Sequence, residues 1–267
     1  MSATIDSPTL APLHNFRVVL CQTSHPGNIG SAARAMKTMG LQHLYLVKPD
    51  SFPDAHATAL ATGAADLLEQ AVVTETLAQA LEGCAFAIGM SARKRGLSHE
   101  LVNVRAAAHT AIDVASTQTV ALVFGTEMSG LSNAELDLCQ LLAMIQANPV
   151  YSSLNLAAAV QIMCYELRMV ALEKQNLQDD NLSPHAPPVY ASIESVEGFY
   201  QHLQETLLHI GYLNPQAPKK LMERLRRIYA RIRLEKEEVN LLRGILTLTV
   251  TPKNTISIEY VFTSVNK

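Results

Sequence analysis

The chain has 267 residues, 48% of them hydrophobic, with 21 Lys or Arg against 24 Asp or Glu for a net charge of −3. That balance excludes a whole-surface positive field and with it indiscriminate nucleic-acid binding, so any RNA site must be a local basic patch. No apolar run approaches the roughly 20 residues of a membrane span, and a chain of this length is read as one large α/β unit with a small appendage.

Residues 1–13 carry no basic n-region and no hydrophobic h-region, so they read as a disordered arm of a cytoplasmic protein and not as a signal peptide. Short apolar runs predict strands at Phe16 to Cys21, Leu44 to Val47, Ala85 to Met90, Val120 to Phe124 and Leu141 to Ile145, with helical patterns between them. Strands alternating with helices predict βαβ units and a mostly parallel sheet covered on both faces, whose ligands bind beyond the carboxyl ends of the strands. In the first helix Ile29, Ala32, Ala33 and Met36 form an apolar stripe, Asn28 is a plausible N-cap and Gly40 a C-cap. Arg34 falls nearly opposite that stripe, toward solvent or a ligand.

Residues 174–192 lack periodicity and hold three of the chain's twelve prolines, which predicts a linker between a first domain, 14–173, and a helical extension, 193–250. In the extension, helices are expected at Ile193 to Ile210 and Pro218 to Glu238, with Pro218 near the favoured first-turn position. The second carries a packing stripe of Leu221, Leu225, Ile228 and Ile232. Beside it, about 100° around the helix, runs a stripe of Lys220, Arg224, Arg227 and Arg231 suited to phosphate contact. Only Tyr212 and Tyr229 stand near these cations, which offers little for base stacking. Thr247 to Val265 alternates weakly and reads as an edge strand or a tail, with residues 251–267 set apart as the tail.

The four cysteines are widely spaced without a C-x-x-C pair, and the nine histidines form no H-x-x-H pair, so buried thiols and no metal are expected. No G-x-G-x-x-G follows the first strand, which disfavours a Rossmann dinucleotide site.

Three strand ends carry glycine- or serine-bearing turns, at His25 to Gly30, Gly125 to Gly130 and Tyr151 to Asn155, the last followed by an alanine-rich helix. Together they describe one cleft. Gly125, Gly130, Ile145, Ser152, Ser153 and Leu154 supply backbone groups, hydroxyls and apolar walls of the kind an adenosine-bearing ligand needs.

The blocks Asn28-x-Gly30-x-x-x-Arg34, Phe124-Gly125-x-Glu127-x-x-Gly130-Leu131 and Ser153-Leu154-Asn155, in this order, resemble the motifs of the SPOUT class of RNA methyltransferases. The run Arg34-Ala-Met-Lys-Thr-Met-Gly40-Leu narrows the likeness to members that methylate the ribose 2'-hydroxyl of cytidine or uridine at position 32 of the tRNA anticodon loop. The resemblance implies an α/β deep trefoil knot, S-adenosylmethionine as methyl donor, tRNA as substrate and a homodimer whose sites are completed across two subunits. It carries the cofactor role onto Met90, Ser91, Ala92 and Gly125, and onto Ile145, Ser152, Ser153 and Leu154.

Arg34 is the candidate catalytic residue. Its guanidinium stays protonated and its fork of donors suits a phosphate clamp better than unaided proton abstraction. The resemblance implies a base assisted by the substrate phosphate, while the chemistry favours orienting the 2'-hydroxyl and lowering its pKa. Glu127 could receive a proton or accept a backbone amide, the structural role being favoured. Asn155 can satisfy loop backbone groups and fix the crossing of the chain. Arg93, Lys94 and Arg95 form a cationic edge suited to phosphate. An enzyme of the same class acting on ribosomal RNA, or a noncatalytic RNA-binding module of the same fold, are the alternatives.

Overall fold

The computed structural model describes residues 10–92, 100–178 and 189–250. Seven strands form one sheet: β1 (Phe16–Cys21), β2 (His43–Val47), β3 (Val72–Thr74), β4 (Phe86–Met90), β5 (Leu101–Asn103), β6 (Val120–Phe124) and β7 (Leu141–Met144). Their order is β3-β2-β1-β6-β4-β7-β5 and every neighbouring pair is parallel. The central strands read as continuous apolar runs because both faces are covered. Side chains alternate between two cores. Phe16, Val18, Leu20, Ile88 and Leu122 face α1 (Pro26–Met39), α5 (Val104–Ala115) and α7 (Leu156–Gln178), while Val19, Cys21, Ala87, Ala121 and Val123 face the opposite side. The short helices α2 (Ala55–Ala61), α3 (Ala65–Glu69), α4 (Leu77–Ala80) and α6 (Asn133–Leu136) fill the connections. All four cysteines are buried and unbridged, and burial pushes their thiols upward, to about 11 for Cys84 and about 12 for Cys164.

Helix α1 begins at Pro26 with His25 as its cap. Asn28 therefore lies in the first turn and is not the N-cap that its residue type suggested; proline's fixed φ sets the start three residues earlier. Gly40, at φ 93°, closes the helix as expected, with Leu41 N–H donating to the Met36 carbonyl. A Cβ on Gly30 would stand 2.0 Å from the Ala57 carbonyl oxygen, so this glycine lets α2 lie directly on α1.

Several boundaries differ from expectation. Residues 11–15 form a 3-10 helix that buries Leu13, so order begins before residue 14. Helix α7 continues to Gln178, past the expected linker start at Lys174, because its inward residues keep packing through Ala171. The extension holds α8 (Ile193–His209), α9 (Leu221–Ile232) and α10 (Lys236–Val250). Pro218 precedes α9 by three residues, and the single helix expected to run to Glu238 breaks at Arg233, φ 49°. The break lets Leu234 bury and accept the Ala191 N–H at 2.8 Å. Thr247 to Val250 complete α10 and are no edge strand; residues from 251 on lie outside the described ones.

Candidate active site

One cavity of about 200 Å³ opens beyond the carboxyl ends of the adjacent strands β6, β4 and β7. Met90, Ser91 and Ala92 come to it from the end of β4, Gly125 from the end of β6, Ile145 from the end of β7, and Ser152, Ser153 and Leu154 from the turn before α7. All eight residues expected around the cofactor thus line the same space. The lining also includes Thr126, Met128, Leu131 and Leu136, which the sequence reading left out. Gly125 is needed because a Cβ there would fall 2.1 Å from the Gly130 carbonyl carbon, where Thr126 and Gly130 pair across a tight turn. Gly130 itself sits at φ 68°.

Among the described residues of this lining, Glu127 is the single charged one. Its carboxylate accepts Asn28 Nδ2 at 2.9 Å, the Ser24 and His25 amides at 3.2 and 3.3 Å, and the Ser24 hydroxyl at 3.1 Å. Burial pushes its pKa upward, but the hydrogen bonds from Asn28, its own amide, Ser24 and His25 outweigh it and hold the group below the usual carboxylate value. A carboxylate so occupied at a helix N-terminus is a clamp and a poor proton acceptor. Asn155 Nδ2 donates to Asn28 Oδ1 at 2.9 Å, while its own Oδ1 accepts the Ala157 and Ala158 amides and caps α7. Asn28, Glu127 and Asn155 therefore tie the three strand-end loops into one hydrogen-bonded unit. Sequence reasoning assigned each a supporting part but had no signal for their mutual contact or for the role of Ser24.

Arg34 does not line the cavity. It is exposed, without a side-chain partner among the described residues, and its carbonyl accepts the Thr38 hydroxyl. It lies about 9 Å along α1 from Asn28, at 1.5 Å per residue. The expected cationic edge of Arg93, Lys94 and Arg95 lies outside the described residues.

On α9, Arg224 and Arg231 are exposed and Arg227 half-buried, with Lys220 at the exposed N-cap, so the stripe of cations does face outward. The packing face is turned from the one expected: Leu225 packs as the stripe predicts, but its other members do not lead the contact. Ile228 is 48% and Ile232 60% exposed, whereas Met222, Leu225 and Tyr229 pack on Phe199, Tyr200 and Leu203 of α8. Arg226, which the stripe left aside, turns inward to a two-pronged ion pair with Glu197 at 2.5 and 2.8 Å and stacks on Tyr200. The extension docks at the amino ends of the strands. Ile193 N–H donates to the Cys84 carbonyl at 2.9 Å, and the Gln118 side chain exchanges two 2.8 Å hydrogen bonds with Tyr190.

Residues 15–165 match the model of the SpoU rRNA Methylase family, and residues 194–255 match that of the tRNA methyltransferase TrmJ, C-terminal domain. The chain belongs to the SpoU methylase family. A tRNA (cytidine/uridine-2'-O-)-methyltransferase TrmJ of Yersinia pestis is 46% identical over 88% of this chain and 91% of its own. A tRNA (cytidine/uridine/adenosine-2'-O-)-methyltransferase TrmJ of Pseudomonas aeruginosa is 47% identical, covering 89% and 94%. The crystal structure of TrmJ from Z. mobilis ZM4 superposes with a TM-score of 0.75 at 30% identity, covering 88% of this chain and 99% of that one. Within the SpoU methylase family, the chain thus falls in its TrmJ group, with the SPOUT α/β architecture. Among the described residues no helix is long and apolar enough to cross a membrane, and no three metal-ligating side chains stand together.

Proposed function

We propose that this SpoU methylase transfers a methyl group from S-adenosylmethionine to the ribose 2'-oxygen of cytidine or uridine at position 32 of the tRNA anticodon loop, as a homodimer in the cytoplasm and without a metal. The observation that carries the reading is the single cavity at three parallel strand ends, lined by glycine turns, serine hydroxyls and apolar side chains. These residues fit the donor: Ser152 and Ser153 offer hydroxyls to a ribose, Ile145, Leu131 and Leu154 give a flat ring an apolar slot, and Gly125 lets the turn from Thr126 to Gly130 close tightly as one wall. Glu127 adds one negative charge to a space meant for a cationic sulfonium. When bound, the donor supplies the electrophilic methyl. The chain's own residues hold the loops through Asn28, Glu127 and Asn155, and Arg34 orients the 2'-hydroxyl and the neighbouring phosphate. In the homodimer of this reading Arg34 serves the cavity of the partner subunit, which its exposure outside its own subunit's cavity supports. The alternative of a ribosomal substrate is disfavoured by the match of residues 194–255 to the TrmJ C-terminal domain.

The test is nucleoside mass spectrometry of tRNA incubated with the protein and S-adenosylmethionine. 2'-O-methylcytidine or 2'-O-methyluridine at position 32 is the expected product, and unmodified tRNA beside methylated ribosomal RNA would overturn the reading. Calorimetry should give the same cofactor affinity with and without EDTA; a signal abolished by the chelator would end the metal-free account.

The outward cations of α9 position the RNA by its backbone. Neutralising Arg224, Arg227 and Arg231 should weaken binding of all tRNAs alike and flatten the slope of log K against log salt by up to about one unit for each phosphate no longer held. Thermal stability should hold, since Met222, Leu225, Tyr229 and the Arg226–Glu197 pair carry the packing. An unchanged salt slope in the folded variant would move RNA binding elsewhere.

A further inference from the structure

We infer that Tyr151 is a stacking platform that receives the base of the nucleotide being methylated, with Met128 and Val150 forming the rest of an apolar rim at the mouth of the cavity. The inference rests on the methyltransferase reading above. A ribose 2'-hydroxyl reaches a cavity at strand ends only if its nucleotide leaves the stack of the RNA loop, and the freed base then needs a flat apolar partner. The C-terminal helices do not provide it there. Tyr229 is engaged edge-on with Phe199 at 4.9 Å, and the extension that holds Tyr229 and Tyr212 docks at the opposite ends of the strands.

At the cavity, and in the two residues that lead into its Ser152 wall, the chain leaves three large side chains in water: Met128 is 95%, Val150 90% and Tyr151 79% exposed. Met128 lines the cavity, and Tyr151 directly precedes Ser152 and Ser153, which line it too. The turn that carries Tyr151 is closed by its own hydrogen bonds. Asn148 accepts the Val150 amide on its side chain and the Tyr151 amide on its carbonyl, both at 3.0 Å, so the ring is presented on a closed turn. A ring held in water beside a site for RNA is matched by the face of a pyrimidine, and stacking accepts cytosine and uracil alike because both present a π-face.

The experiment uses full-length protein and a full tRNA carrying 5-iodouridine at the methylated position. Irradiation should crosslink that nucleotide to Tyr151, as read by mass spectrometry of the peptide. Tyr151→Ala should lower kcat/KM for tRNA by about tenfold to a hundredfold, the range that one base–aromatic stack supplies. Tyr151→Phe should stay within about threefold, since the ring and not the hydroxyl is used. S-adenosylmethionine affinity and the oligomeric state of Tyr151→Ala should match the wild type. A crosslink to another residue together with unchanged tRNA kinetics would overturn the platform. So would loss of cofactor binding, which would put the ring in the donor's wall, or a monomer where the wild type is a dimer, which would put it in the subunit contact. A wild-type protein that methylates no tRNA would instead defeat the functional reading on which the platform stands.

Discussion

Arg34→Ala should bind S-adenosylmethionine as the wild type does and transfer methyl about a hundredfold to a thousandfold more slowly, the range seen when one preorganised charge-stabilising donor is removed. The two halves of that result have separate causes. Arg34 neither lines the cavity nor pairs with any described side chain, so its removal leaves the donor's site and the fold alone. Its fork of donors stands on the exposed side of α1 beyond the Asn28 turn, where a phosphate and a 2'-hydroxyl can be clamped together. Arg34→Lys should recover little, because a point charge cannot make the two-pronged contact. Single-turnover methyl transfer beside calorimetry reads both halves, and wild-type turnover in Arg34→Ala would take the residue out of the mechanism. A mixed dimer makes the subunit assignment visible. If Arg34 serves the partner's cavity, a heterodimer of Arg34→Ala with a chain whose own cavity is disabled keeps one complete site and regains activity; if it serves its own, both sites stay dead.

The parts of this molecule that could be read in the sequence are those where one residue's own chemistry decides. β1 and β6 are buried on both faces, so their apolar runs have sharp edges, and the glycines and serines at strand ends mark turns in the order in which the cavity uses them. β3 and β5 escaped because each is three residues long at a sheet edge, with Val72 and Val73 half in water and no run long enough to carry a period. Contacts across the chain were illegible for a different reason. The hydrogen bonds joining residues 28, 127 and 155 span about a hundred positions or more between Asn28 and its partners, and no periodicity reports them. On α9 two apolar faces lie side by side, one with Ile228 and Ile232, the other with Met222 and Tyr229. The aromatic cluster of α8 selected the second, a choice made by tertiary packing after the helix is formed.

Two glycines that look equivalent in the motifs should fail in opposite ways when given a methyl group. Gly125→Ala should lose cofactor affinity by tenfold or more, on the order of 1.4 kcal/mol or above, while the protein stays folded. The new Cβ would collide at 2.1 Å with the Gly130 carbonyl carbon and at 2.2 Å with the Leu131 amide, so the turn from Thr126 to Gly130 must move off the end of β6. That turn is exposed on one side and can yield, yet it is a wall of the cavity, and its displacement reaches Met128 and Leu131 as well. Gly30→Ala should instead be felt in stability, by about 3 kcal/mol, the upper part of the range for overpacking a filled core. Its Cβ would meet the Ala57 carbonyl oxygen at 2.0 Å, in the backbone of a helix that packs on α1 through the fully buried Ala57 and Ala61, so α2 must lift from α1 as a unit and give up that packing. Urea unfolding paired with calorimetry on both variants separates the two. Full cofactor affinity in Gly125→Ala would show that the turn is not part of the donor's site, and a Gly30→Ala as stable as the wild type would show that α2 can lift from α1 without loss.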